Sequence, residues 1–384
     1  GNSMKKSLFA AIVLLAVFLV AGCTPAVMEA TLPPIEAENT SPVTVQPTEN
    51  PTPTPTETPV PTEEPTPEPT PEPTPDPFYA PEGKSPTTGL DYSGLYQPIL
   101  TTIGNTDKAR PAWGLSKADI VYEILMEGQS VTRLSAVFND EKPTVVGSIR
   151  SARYPFVHEW AAWENAPIVF YGGPTVDRFN AVNLLYKYGF KQEQLLNGMW
   201  GRNNAYFTRQ SNRGAPHNAT ADLQLVTLNY YGDTELEHEK QFTFDARATD
   251  SLTVSATQVT IQFKGTSEMV SSAFMYDASL LGYVWYSEVD EAQTDYEGNT
   301  LVYQNVVARH VDHITSEKWY VDTNPLGEGA ADFFIGGKYV HGTWKRDDLK
   351  SRVYYYDDMG NEVLFLPGKT WICIVRSDGY AIYE

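Results

Sequence analysis

RPAWGLSKADIVYEILMEGQSVTRLSAVFNDEKPTVVGSIRSAR, residues 110–153, holds three apolar runs in close succession. Asp119–Glu127 and Val131–Asn139 are rich in the β-branched and aromatic residues that favour strands, and they meet at Gly128. The third run, Thr144–Ile149, ends in the corner Arg150-Ser151-Ala152-Arg153. A period of two puts Ile120, Tyr122, Ile124 and Met126 on one side of the first strand. Thr132, Leu134, Ala136 and Phe138 share one side of the second. A three-residue loop, Glu127-Gly128-Gln129, brings both apolar sets to the same sheet face. That register also places Arg133 beside Glu123 and Glu127. A face charged at its centre is either a cross-strand ion pair or the floor of a charged pocket.

Working outward toward the N-terminus, Gly1-Asn2-Ser3 reads as a cloning scar before Met4. Lys5 and Lys6 precede the apolar run Leu8–Ala21, shorter than the roughly 20 residues a spanning helix needs. The run therefore reads as the core of a secretory signal. It ends Val20-Ala21-Gly22-Cys23, which resembles the lipobox of bacterial lipoproteins, where the cysteine receives a diacylglyceryl group and becomes the mature N-terminus. The resemblance implies an exported protein anchored through Cys23 to the outer face of the bacterial cell membrane. Cys373 is the only other cysteine, so the folded part carries no disulfide, and its apolar neighbours mark it as a buried thiol.

From Ala26 to about Pro77, within the tether assigned to 23–79, the chain is Pro, Thr and Glu. Such a segment cannot bury a core, and as an extended tether it would reach roughly 150 Å. It carries ten acidic residues and no Lys or Arg; with the two signal lysines also set aside, the remainder has 38 acidic against 26 basic residues. A field of that sign argues against nucleic acid as a partner.

The expected class is α+β, with the scar and signal peptide over 1–22 and the tether over 23–79. An N-terminal layered α/β domain with a mixed sheet (80–235) follows, then a mostly antiparallel β domain (236–384). Helices are expected over Tyr154–Glu164, Thr175–Tyr188 and Thr220–Tyr230, after strands that include Ile168–Tyr171. Beyond Thr243 the sequence reads almost wholly as strands, forming a twisted sheet or open barrel.

Three turns then lead into helix starts, at Arg150–Pro155, Gly172–Thr175 and His217–Thr220. Helix starts favour anions, and Arg binds carboxylate and phosphate bidentately. The expectation is an anion pocket built from Arg133, Arg150, Arg153, Arg213, His217 and Asn218, with Glu123 countering it. The bland alternative is that these arginines cap carbonyls and pair with acids. No metal or cofactor is expected: on a straight strand His310-Val-Asp-His313 splits between two faces, and Asp357-Asp358-Met359-Gly360-Asn361 has hairpin rather than EF-hand spacing.

Residues 110–128, followed by TRLSAVF, VGSIRSAR, the Ala166–Gly173 turn and Arg213-Gly-Ala-Pro-His-Asn218, resemble the N-terminal domain of the YerB-like lipoproteins. HGTWKRDD and YYYDDMGNEVLFLPGKTWICIV resemble that family's C-terminal domain. The resemblance implies a two-domain exported lipoprotein and no particular reaction. Two functions are expected from it and the residues together. The first is binding of an anionic envelope component or a wall-associated protein. The alternative is a hydrolase or transferase acting on wall glycopolymer, with His217 and Glu123 as an acid–base pair.

Overall fold

A computed structural model describes residues 76–265, 270–286, 291–315 and 319–384. The leader, Cys23 and the tether as far as residue 75 lie outside the described residues. The tether was expected to run to residue 79, yet backbone bonds to the folded body already begin at Phe78, whose carbonyl accepts from Lys240 N.

Ten strands form one mixed sheet. In chain order its members are β1 (Ile99–Gly104), β2 (Ile120–Leu125), β3 (Thr132–Phe138), β4 (Ile168–Phe170) and β5 (Leu195–Asn197) from the first half. A second, antiparallel sheet has β6 (Gln258–Gln262), β7 (Ser271–Asp277), β8 (Gly282–Tyr286), β9 (Val302–Tyr303) and, near the end of the fold, β15 (Tyr380–Tyr383). The large sheet is completed by β10 (Asn305–Val311), β11 (Gly327–Ile335), β12 (Lys338–Arg346), β13 (Tyr354–Asp357) and β14 (Thr370–Arg376). Its order is β13-β12-β11-β10-β14-β2-β3-β1-β4-β5.

The sheet runs straight through the boundary expected near residue 235. β14 lies parallel to β2 on one side and parallel to β10 on the other. Most C-terminal strands thus divide between these two sheets, the rest form two-stranded ribbons (His313–Thr315 with Val321–Thr323, Thr243–Phe244 with Leu364–Phe365), and they close no barrel among the described residues. Seven strands (β12, β10, β14, β2, β1, β4 and β5) point the same way, so their carboxyl ends share one edge.

Both faces of the large sheet are covered. On one, Val121, Leu125, Leu134, Ala136 and Phe138 pack with Phe274, Tyr283 and Trp285 of the second sheet and with Leu223 and Val226 of α3 (Leu223–Tyr230). On the other, Ile120, Tyr122, Ile124 and Met126 pack with α1 (Tyr154–Trp160) and α2 (Ala181–Lys187) through Phe156, Trp160 and Leu185. A strand covered on both sides loses its polar face, and β2 and β3 are buried at every residue.

This double burial explains why the expected hairpin register is wrong by one. β2 and β3 pair as Glu123 with Leu134 and Ile124 with Arg133. Gly128 and Gln129 both have positive φ, and Met126 N bonds to Val131 O, so the loop has four residues rather than three. The apolar sets of the two strands therefore face opposite layers, and Arg133 is on the face away from Glu123.

Two helix starts are also displaced. α2 begins at Ala181, capped by the Asn180 side chain, which accepts from Asn183 N. The residues after His217 first form a short strand, Ala219–Ala221, and α3 starts only after the Asp222 cap. In both cases the capping side chain, not the preceding turn, sets the start.

Charges buried in the body have local partners. Arg309 pairs with Glu159, both almost wholly buried, and Arg346 donates to the carbonyls of Ser351, His158 and Leu349. Asp119, at the amino end of β2, accepts from Thr87 Oγ1 and from the amides of Asn139 and Asp140. Burial and the neighbouring Asp140 charge push its carboxyl up to about 7.

Two outcomes are expected. Ile374→Ala in β14 should cost about 2–5 kcal/mol. Because that strand lies between both halves, circular dichroism and tryptophan fluorescence should lose structure in one coincident urea transition rather than two. The raised carboxyl of Asp119 favours folding while it keeps its proton. That contribution is complete below about pH 4 and is lost as pH rises through about 7. Asp119→Asn should flatten the fall in the urea midpoint between those limits.

Candidate functional site

The carboxyl edge of the co-directed strands is where the loops carrying the expected site residues gather. Arg150 sits in the segment Ile149–Ala152, which wedges between the ends of β1 and β4. Gly104 N bonds to Ser148 O, Arg150 N to Thr102 O, and Tyr171 N to Arg150 O. Arg133, at the start of β3, is the registered partner of Gly104.

Arg150 Nη1 lies 3.2 Å from His217 Nδ1. A guanidinium only donates, so Nδ1 accepts and the single proton of the neutral ring sits on Nε2. The imidazole is thus held neutral. Its pKa is depressed first by desolvation and then by Arg150, Lys108, Arg213 and Arg133. Three of the expected arginines (Arg133, Arg150 and Arg213) therefore bear on a fourth expected residue, His217, and Arg150 touches it. Lys108 joins them, a residue in the loop after β1 that no helix start or recognised motif marks in the sequence.

Arg213 is fixed by its surroundings. It donates to the carbonyls of Ala109 (2.8 Å) and Pro111 (2.9 Å), and its guanidinium carbon lies 4.1 Å from the Trp113 ring centre. Tyr296 closes the stack at 5.0 Å from Trp113. One side chain thereby ties the 213 loop to segment 109–113 and, through Tyr296, to the later half of the chain.

The other expected members point elsewhere. Arg153 donates to Ala152 O and lies 6.0 Å from the Tyr320 ring centre. Asn218 is spent inside its own turn, accepting from Arg209 Nη1 at 2.9 Å and donating to Gln210 O at 3.1 Å.

Glu123 belongs to another setting. It is 1% exposed, on the face that packs against the second sheet. Oε1 accepts from Thr132 Oγ1 (2.7 Å) and Asn105 Nδ2 (3.1 Å), and Oε2 from Ser272 Oγ (2.7 Å) and Trp371 Nε1 (3.0 Å). Desolvation raises its pKa, while these hydrogen bonds work to lower it. Its partners do not include His217, so the two are not arranged as a hydrogen-bonded acid–base pair. Glu123 instead forms the inner wall of a cavity of about 130 Å³ at the carboxyl edge.

Cys373 Sγ lies 3.8 Å from Glu123 Oε2, and burial holds its thiol far up, which suits an unreactive core residue. His310 pairs with Asp332 at 3.0 Å, and Tyr339 donates to the same carboxylate at 2.7 Å. Asp357 Oδ1 accepts from the amides of Met359 and Asn361, which closes a hairpin. Among the described residues no group of three or more His, Cys, Asp or Glu could hold a metal ion, and no helix is long and apolar enough to cross a membrane.

Comparison with known proteins adds the relatives. Residues 87–234 match the N-terminal domain, and residues 259–372 the C-terminal domain, of the family described as protein of unknown function (DUF3048). The chain is 29% identical over 303 residues to "Putative lipoprotein YerB" of Bacillus subtilis, covering 76% of this chain and 86% of the relative. The crystal structure of the YerB protein from Bacillus subtilis superimposes with a TM-score of 0.65 at 26% identity, over 78% of this chain and 99% of that one. The chain belongs to the YerB-like family.

Proposed function

We propose that this chain is a lipid-anchored extracytoplasmic binding protein that receives an anionic group of a cell-envelope component at its carboxyl edge. One observation carries the reading: Arg150 holds His217 neutral while Lys108, Arg133 and Arg213 bear on the same ring. A protein with 48 acidic and 28 basic residues concentrates cations at this edge against its own overall field. Guanidinium groups backed by rigid backbone suit phosphate or carboxylate groups. The anchor is supported by the small residues before Cys23 and by the name of the Bacillus subtilis relative, a putative lipoprotein. The tether would lift the folded body away from the membrane surface.

Two measurements test it. Inorganic phosphate, or a glycerol-phosphate polymer, should raise the His217 pKa seen by imidazole NMR, because a bound anion offsets the cations that depress it. Arg150→Glu should abolish that shift and weaken binding about tenfold or more. An imidazole that titrates identically with and without the anion would remove the reading. Separately, Cys23→Ser should move the protein from the membrane fraction to the medium.

A further inference from the structure

Arg209 ends the short strand Phe207–Arg209, which pairs with Ala219–Ala221. Its registered partner, Ala219, accepts through its carbonyl from Ile149 N. Two strand spacings, about 10 Å, therefore separate the backbone of Arg209 from the segment that carries Arg150. The two side chains belong to one closed circuit. Arg150 contacts His217, and the next residue, Asn218, accepts from Arg209 Nη1. The Arg209 guanidinium carbon lies 4.6 Å from the centre of the Tyr171 ring, and Tyr171 N donates back to Arg150 O. That ring is seated with little slack. A Cβ at Gly198 would come within 2.4 Å of it, and Phe207 meets it edge-on at 5.7 Å.

Elsewhere on the surface cations sit against acids, as Lys84 does with Asp91, Lys117 with Glu141, Lys350 with Glu164 and Arg352 with Glu362. Arg209 is different. It is exposed, and among the described residues it pairs with no carboxylate; its hydrogen bond goes to the neutral amide of Asn218. The rest of its fork has no acceptor in the described chain, and the Tyr171 ring restrains it. A charge-bearing fork, open to solvent and held in place, is thus set beside the Arg150–His217 contact.

We infer that Arg209 is a second anion-receiving position, and that the ligand is a linear polyol phosphate whose phosphate groups engage Arg150 and Arg209 together. The inference rests on the anion reading above and adds the class of ligand. A single phosphate fills one position. A polymer with a charge at every repeat meets both, and its second contact forms within a complex already made. Guanidinium forks match phosphate oxygens. A nucleic-acid strand also repeats phosphate, but proteins that hold single strands stack the bases on open aromatic faces. Here Trp113 is 3% exposed, with Arg213 over its ring, and the Tyr171 ring is taken up by Arg209, Gly198 and Phe207. A flexible polyol spacer needs no such platform.

The probes are inorganic phosphate, glycerol 3-phosphate and a short glycerol-phosphate oligomer, titrated into the full-length chain in detergent. Calorimetry reads affinity, and imidazole NMR reads His217. The oligomer should bind about tenfold or more tighter per phosphate than glycerol 3-phosphate. Arg209→Gln should lose about tenfold in oligomer affinity. It should keep both its affinity for glycerol 3-phosphate and the upward His217 shift with phosphate, which also reports that the variant is folded. If phosphate moves His217 in neither protein, the anion reading falls and this inference falls with it. With that shift present in the parent protein, four results overturn the inference alone. They are equal affinity per phosphate for oligomer and monomer, unaltered oligomer affinity in Arg209→Gln, loss of the phosphate shift in that variant, and equal or tighter binding of an oligothymidylate or oligogalacturonate with the same number of charges.

Discussion

The parallel ladder that seats Thr370–Arg376 between Ile120–Leu125 and Asn305–Val311 is the constraint on which the rest of the structure rests. It converts two sequence segments into one sheet, and it puts Trp371 and Cys373 against Glu123 while Ile372 and Ile374 face the helices. Without that strand the covering layers would have two smaller platforms rather than one. Every residue of β14 but Arg376 is buried, so the hydrophobic term here is close to its maximum for a strand.

What the sequence made legible follows from how local each signal is. β2, β3 and β4 were readable because β-branched and aromatic runs between turn residues leave few alternatives. The α+β class followed from the same runs. Their register was not readable, since both faces are apolar and alternation then has nothing to distinguish. Met126, Val121 and Leu125 all sit in the core, but in two different layers. The shared sheet was equally hidden, because pairing between residues near 120 and near 370 leaves no mark in a local window. Site residues divide in the same manner. Arg150, Arg213 and His217 meet because the loops that carry them end at one edge, and the abundance of Arg beside turns hinted at it. Arg153 and Asn218 carried the same sequence signal but serve their own turns.

The chemistry of the edge is arranged on two sides of a single loop. Outside it, cations surround an imidazole kept neutral by a donor that cannot accept. Inside it, the buried carboxyl of Glu123 accepts from four N–H and O–H donors, the Asn105 amide among them. Electrostatics dominates the first, and hydrogen-bond valence the second. The stack of Arg213 on Trp113, closed by Tyr296, fixes the loop between them.

A ribosome makes β14 after both of the strands it joins, and that order has a consequence. Until residues 370–376 emerge, Ile120–Leu125 and Asn305–Val311 each lack a neighbour, leaving two apolar borders with open backbone groups. A growing chain in that condition has no finished centre to lock around, so it remains pliable enough to be threaded through a narrow channel. It is also exposed to sticking, and a nick that removes the late strand would return a mature molecule to the same vulnerable condition.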